Sequence, residues 1–165
     1  QVAPEWVKQQ LQSEPLWRLY WALFVCRMPA DALQALEERL LWDKATNRLA
    51  MDLQTLESSR HLLAEPTLRP SQITRLLEKA DLGAIALFQL TSLEESLLSE
   101  RVYHYQNEWR HIRPEIGGAE LRAKGIPQGP IYAQILEQLR DLRLDGLAKS
   151  REDEENVIEQ IVKKL

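Results

Sequence analysis

Apolar residues recur at intervals of three and four along almost the whole chain, and no stretch shows the strict two-residue alternation of a half-buried strand. That rhythm commits the chain to helices, because only the helical period gathers such residues on one face. The expected fold is therefore all-α, an irregular multi-helix array with no β-sheet and no fixed-period repeat of interchangeable units. With 165 residues and a hydrophobic fraction of 44%, the chain has enough apolar surface to bury a core. Its longest apolar stretches, near Leu16 to Val25 and Ala84 to Leu90, are too short to cross about 30 Å of hydrocarbon, so no membrane segment is expected. The chain starts at Gln1 without the residue order of a secretion signal and reads as a trimmed piece of a longer polypeptide. A single cysteine, Cys26, in an apolar run suits a buried thiol and a reducing cytoplasm.

Prolines and glycines punctuate the pattern. Pro15 opens a helix through Trp17, Tyr20, Trp21 and Phe24 to about Met28, apolar nearly all round and expected to be a central core helix. The alternative is an aromatic face that packs against a missing upstream region. Leu33, Leu36 and Leu40 mark a second helix, and Ala45, Leu49, Leu53, Leu56 and Leu63 a third that ends before Pro66. Pro70-Ser71 restarts a helix with Ser71 as its cap and Ile73, Leu76, Leu77 and Ala80 as its buried face, and Gly83 separates it from the next. Ser92 and Glu95 form a capping box before a long helix whose seam runs through Leu98, Val102, Tyr105, Trp109 and Ile112 up to Pro114. Two further helices span Pro130 to about Leu144, stopped by Gly146, and Arg151 to Leu165, capped by Ser150 with Asp153.

The chemistry of most enzyme classes is missing. His61, His104 and His111 have no adjacent Asp for metal-dependent phosphohydrolysis, and His104 and His111, two turns apart, sit roughly 10 Å from one another along a helix. Nothing matches GxxxxGK[ST] or GxGxxG, and no Asp-x-Asp pair offers a two-metal site. Cys26 lies where desolvation suppresses the thiolate. The acidic run Glu152 to Glu155 reads as a solvated first turn favoured by the helix dipole. No catalytic residue and no metal ligand is assigned.

One stretch stands apart: Ile116-Gly117-Gly118-Ala119-Glu120-Leu121, Gly125-Ile126-Pro127-Gln128-Gly129-Pro130, Ile135-Leu136 and Leu144-Asp145-Gly146. It reads as a helix, loop, helix unit over 116-146. A helix that begins at Pro130 offers main-chain donors and a dipole end that can hold phosphate, while a corner that merely packs two helices closely explains the glycines equally well. At these residues the sequence resembles the carboxy-terminal region of bacterial tRNA nucleotidyltransferases, the CCA-adding enzymes and their poly(A) polymerase relatives. That tail commonly reads I-x-G-x-D-L, G-I-x-x-G-P, I-L and L-D-G. Here Glu120 replaces the usual Asp and Gln128 stands where many members carry proline. The strong agreement covers about a fifth of the chain; elsewhere it is only a helical pattern, including Trp17 to Trp21, which looks like the start of the family's body.

The resemblance implies a division of labour. A catalytic head, absent from this chain, would use Mg and CTP or ATP, whereas a helical body (1-91) and tail (92-165) would hold the acceptor stem and elbow of tRNA. This chain would then serve tRNA processing as the RNA-binding part of a cytoplasmic transferase, non-catalytic alone and partnered by the head of the same polypeptide. A helical protein-interaction module that binds no nucleic acid is the alternative. The net charge of −4 excludes indiscriminate coating of nucleic acid, so any contact must be local. From Arg101 to Lys124 five basic residues (Arg101, Arg110, Arg113, Arg122, Lys124) face three acidic ones (Glu108, Glu115, Glu120), an excess of +2. The candidate RNA contacts are Arg110, Arg113, Arg122, Lys124, Gly125, Gln128 and Gly129. Complementation of a helix C-terminus is the competing role for Arg110 and Arg113. Tyr103 and Tyr132 are candidates for base stacking or for half-buried packing.

Overall fold

The structure, a computed structural model, describes residues 2–40 and 42–162, with the side chains at 30, 34, 37 and 162 left aside. Among the described residues the fold is all-α, with no strand. The helices are α1 (Glu5–Gln12), α2 (Leu16–Val25), α3 (Ala30–Leu40), α4 (Lys44–Ser58), α5 (Arg60–Leu63), α6 (Pro70–Leu77), α7 (Leu82–Thr91), α8 (Ser96–Asn107), α9 (Gly118–Ala123), α10 (Pro130–Leu144) and α11 (Arg151–Val162). No described helix is long and apolar enough to cross a membrane. The expected end of the last helix at Leu165 lies outside the described residues. Packing divides the chain into two units: residues 1–68 with 73–106, and residues 69–72 with 107–165.

The first unit is organised around α7, which packs on α1 and α4, and α2 packs on α4 as well. Every residue from Gly83 to Gln89 is buried. Small residues ease this packing: a Cβ on Gly83 would lie 3.1 Å from Leu49 Cδ1, so glycine lets α7 approach α4 without displacing that methyl group. Gly83 therefore sits inside the first turn of α7 and does not separate two helices. Asp81 starts that helix by accepting from the Gly83 N–H at 2.8 Å.

The expectation that α2 is the central core helix is overturned. Leu19, Ala22 and Val25 are buried, but Trp17, Tyr20 and Phe24 are 57%, 66% and 63% exposed. Trp17, Tyr20, Trp21 and Phe24 are spaced as i, i+3, i+4 and i+7 and so share one face, whereas α2 packs with the face that carries the smaller Leu19, Ala22 and Val25. Its Pro15 precedes the helix as cap, and Cys26 follows it as a buried thiol that desolvation pushes up in pKa.

Three further boundaries differ from the sequence pattern. Helix α1 was not anticipated; it starts after Pro4 and buries Val7. The third predicted helix breaks at Ser59 (φ −88°, ψ 0°), and Asp43 caps its first part by accepting from Thr46 N–H at 2.8 Å. Ala45 is exposed while Thr46 takes the buried position. Ser92 forms no capping box: its hydroxyl donates to Phe88 O at the end of α7, and α8 opens only at Ser96. Helix α8 stops at Asn107, because Glu108 (φ −129°, ψ −66°) leaves the helical region and a short 3₁₀ turn, Trp109–His111, follows.

Candidate nucleic-acid interface

The second unit condenses on Ile116, Leu121, Ile126, Ile135, Leu139 and Ile158, contributed by α9, α10, α11 and their connections. Two helix ends shape it in the same way. After α9, Ile126 N–H reaches Leu121 O (3.2 Å) and Gly125 N–H reaches Arg122 O (3.0 Å), with Gly125 at φ +79°. After α10, Leu147 N–H reaches Leu142 O (2.8 Å) and Gly146 N–H reaches Arg143 O (3.1 Å), with Gly146 at φ +70°. Both are Schellman endings, in which a left-handed residue satisfies the last carbonyls, and Leu121 with Ile126 supplies the apolar contact that accompanies the first. The conformation of Gly125 is thus required by the helix end itself.

Other motif residues prove structural too. Asp145 accepts from both the N–H and the hydroxyl of Ser71, each at 2.9 Å, so it caps α6 from a distant part of the sequence. Ser71, expected to be that cap, is the second residue of α6 and the donor. Glu120 accepts from Gly117 N–H at 3.1 Å at the start of α9, and the main-chain N–H groups hold its carboxyl below the ordinary value. The longer Glu in place of Asp reaches one turn back without difficulty. Tyr132 donates to Ile126 O at 3.0 Å and packs its ring against Gly118, which favours packing over stacking.

The corner between α9 and α10 is open to solvent. Gly125, Pro127, Gln128, Gly129 and Pro130 are exposed, and only Ile126 is buried as its anchor. A Cβ on Gly125 or Gly129 would meet no atom within 4 Å. Helix α10 begins there with Pro130 in its first turn and no side-chain cap on its main-chain donors. Arg122 and Lys124, exposed on the last turn of α9 and at its end, directly precede the corner.

The remaining basic candidates lie on the preceding segment. Arg113 is exposed, and its Nη1 donates to Arg110 O (2.9 Å) and Ile112 O (2.8 Å), so it answers the carbonyls at the end of the 3₁₀ turn. Arg110 is half-buried. Arg101, counted among the basic excess, belongs to the first unit and is buried, donating to Leu63 O and to Pro66 O (3.4 Å); desolvation lowers its pKa.

The sequence pattern missed one organising residue. Glu154, expected in a solvated turn, is fully buried. Its carboxylate accepts from Glu115 N–H (3.1 Å) and Ile116 N–H (2.9 Å) and pairs with Arg143, which also holds Glu115 at 2.7 Å. These contacts lock the segment leading into α9. A carboxylate among other carboxylates carries no burial signal in sequence, since its partners are main-chain donors 38 and 39 positions away. The neighbouring acids are also engaged: Asp153 accepts from Lys149 and Ser150 N–H and returns its own N–H to Ser150 Oγ, and Glu155 pairs with Arg151. Among the described residues no group of three or more His, Cys, Asp or Glu side chains is placed so that it could hold a metal ion.

Comparison with known proteins adds one relation. Seventy residues of this chain are 33% identical to an A-adding tRNA nucleotidyltransferase of Geobacter sulfurreducens. The similar stretch makes up 42% of this chain and 8% of that protein's length. No protein-family model matches the chain, and no solved structure does.

Proposed function

We propose that the second unit is an RNA-gripping surface, part of a tRNA nucleotidyltransferase-like polypeptide whose catalytic chemistry is carried elsewhere. The observation that carries this reading is the solvent-open corner Gly125–Pro130, where α10 starts uncapped beside the exposed Arg122 and Lys124. Uncapped N–H groups and the positive end of a helix dipole attract phosphate, and adjacent cations add to the field without a high net charge. Contacts of this kind recognise the shape of a folded RNA through its backbone and not its base sequence. The similarity to an enzyme that adds A to tRNA supports tRNA as the partner. Its acceptor stem and elbow offer the duplex phosphates such a surface needs.

Titration of fluorescently labelled tRNA tests the reading. We expect a Kd of about 10⁻⁴ to 10⁻⁶ M, weakening steeply with salt. The double variant Arg122→Glu/Lys124→Glu should abolish most of that affinity at an unchanged melting temperature. A wild-type chain that ignores tRNA at low salt refutes it.

The alternative, a protein-interaction module without RNA binding, rests on a different observation: a groove of about 640 Å³ lined by Trp17, Tyr20, Trp21, Phe24, Leu40 and Trp42. Recovery of a stoichiometric protein partner by the wild type, lost on Trp17→Ala, together with no tRNA binding, selects it.

A further inference from the structure

Within the first unit, α2 stands between two grooves. The larger, of about 640 Å³, is lined by Trp17, Tyr20, Trp21, Phe24, Leu40 and Trp42. The smaller, of about 560 Å³, is lined chiefly by leucines of α1, α2 and α7, with Lys8 and Glu14. Tyr20 lines both, so it forms the crest between them. The rings of Trp21 and Trp42 meet edge to face at 4.8 Å and give the larger groove a firm wall. Leu16, Trp17, Tyr20, Phe24 and Leu40 are each between 55% and 66% exposed. All six side chains that line the larger groove are aromatic or aliphatic, so a phosphate or a charged peptide finds no counter-charge in it. The guanidinium of Arg18 lies 5.7 Å from the Trp17 ring, but Glu14 (2.8 Å) and Asp43 (3.4 Å) hold it.

We infer that this chain pairs with a second copy of itself through α2, the Tyr20–Phe24 crest of each copy seated in the larger groove of the other. The inference goes beyond the RNA-binding reading and does not rest on it. Two arguments select a second copy as the occupant. The first is shape: a two-fold interface brings the same patch of both molecules together, so the patch must supply both ridge and groove, and α2 with its flanking groove supplies both. The second is area. The five exposed side chains leave roughly 600 Å² of apolar surface in water, the upper end of what a monomer shows in one patch. Two such patches pressed together bury about 1,200 Å², where the range of specific interfaces begins. Aromatic residues suit the centre of such an interface because they bury much area with few rotatable bonds, and each copy would cover the rings that its own fold leaves in water.

The test is sedimentation equilibrium of the whole chain over a concentration series, with tryptophan fluorescence followed in parallel. The wild type should dimerise with a Kd of about 1 to 100 μM, as suits an interface at the small end of the range, and its emission should shift to the blue as the rings leave water. Tyr20→Glu and Phe24→Glu each place a charge in both halves of the interface and should weaken association at least about 100-fold. Met51→Glu, on an exposed residue of α4 that lines neither groove, should leave it unchanged. Melting temperatures taken at high dilution show whether each variant folds, and Tyr20→Glu, at the most exposed of these rings, reads the interface even if Phe24→Glu is destabilised. A wild type that stays monomeric at about ten times the upper expected Kd overturns the inference, whether the groove then proves empty or holds a different protein. A dimer that survives both Glu substitutions overturns it as well, because its contact lies on another face. Titration of tRNA is read separately: a monomeric chain that binds tRNA leaves the RNA-binding reading standing, and a dimer that ignores tRNA removes that reading alone.

Discussion

Helices α2 and α7 are the two most apolar segments of the first unit, yet α7 is buried on every side and α2 shows solvent its largest rings. Hydrophobicity alone ranks them together. What separates them is the placement of bulk: α7 carries Gly83, Ala84 and Ala86, so neighbours reach its backbone, whereas α2 gathers Trp17, Tyr20, Trp21 and Phe24 on one face and packs with the other. A core is filled at near-crystalline density, and the small residues of α7 let neighbouring helices close over its larger ones such as Phe88. The comparison teaches that an apolar helix is internal only when something can close around it.

That contrast can be broken most decisively at two phenylalanines. Phe88 of α7 is 0% exposed, and Phe88→Ala should cost about 3–5 kcal/mol in urea unfolding, enough to threaten the fold. An effect under 1 kcal/mol would mean that α7 is not the centre of this unit. Next in size, Gly83→Leu forces a side chain into the contact with Leu49 and should cost about 1–3 kcal/mol through overpacking. A neutral result would show that α4 yields and that the close approach is incidental.

A smaller effect should follow acidification. Helix α2 has no side-chain cap, but α4, on which both α2 and α7 pack, is capped by Asp43. The Thr46 main-chain N–H, then its hydroxyl, and the Arg18 charge hold the Asp43 carboxyl below the usual aspartate value of about 3.9. A carboxyl lowered on folding stabilises above its unfolded pKa, and the gain disappears as pH falls through the folded value. Stability should therefore decline below about pH 4, and the Asp43→Asn variant should lose part of that decline; identical pH profiles would show that the charge contributes nothing. The smallest change is expected on the exposed face: Phe24→Ala and Trp17→Ala should each stay within about 0.5 kcal/mol in thermal melts while reducing binding of an apolar dye. A loss above 1 kcal/mol in either would place that ring in the core after all.

The candidate interface repeats the lesson in polar terms. Gly125, Gly146 and Asp145 stood out in sequence, and the structure accounts for each by a helix end or a remote cap. Arg122, Lys124, Gln128 and Gly129 lie exposed at the corner because they are adjacent in the chain, so their grouping was legible from spacing. Glu154 was not, since its main-chain partner at Ile116 is close only after folding. The end of α8 at Asn107 was hidden for the same reason: the apolar seam continues through Trp109 and Ile112 even though the backbone leaves the helix at Glu108.

By itself the sequence determined the helical class, most helix starts, the Ser150–Asp153 cap and the stop at Gly146, because periodicity and capping act within a few residues of one another. Only the tertiary structure decided which apolar helix is internal and which carboxylate is buried. Those outcomes depend on volume and on donors supplied from far along the chain, and local spacing holds no record of either.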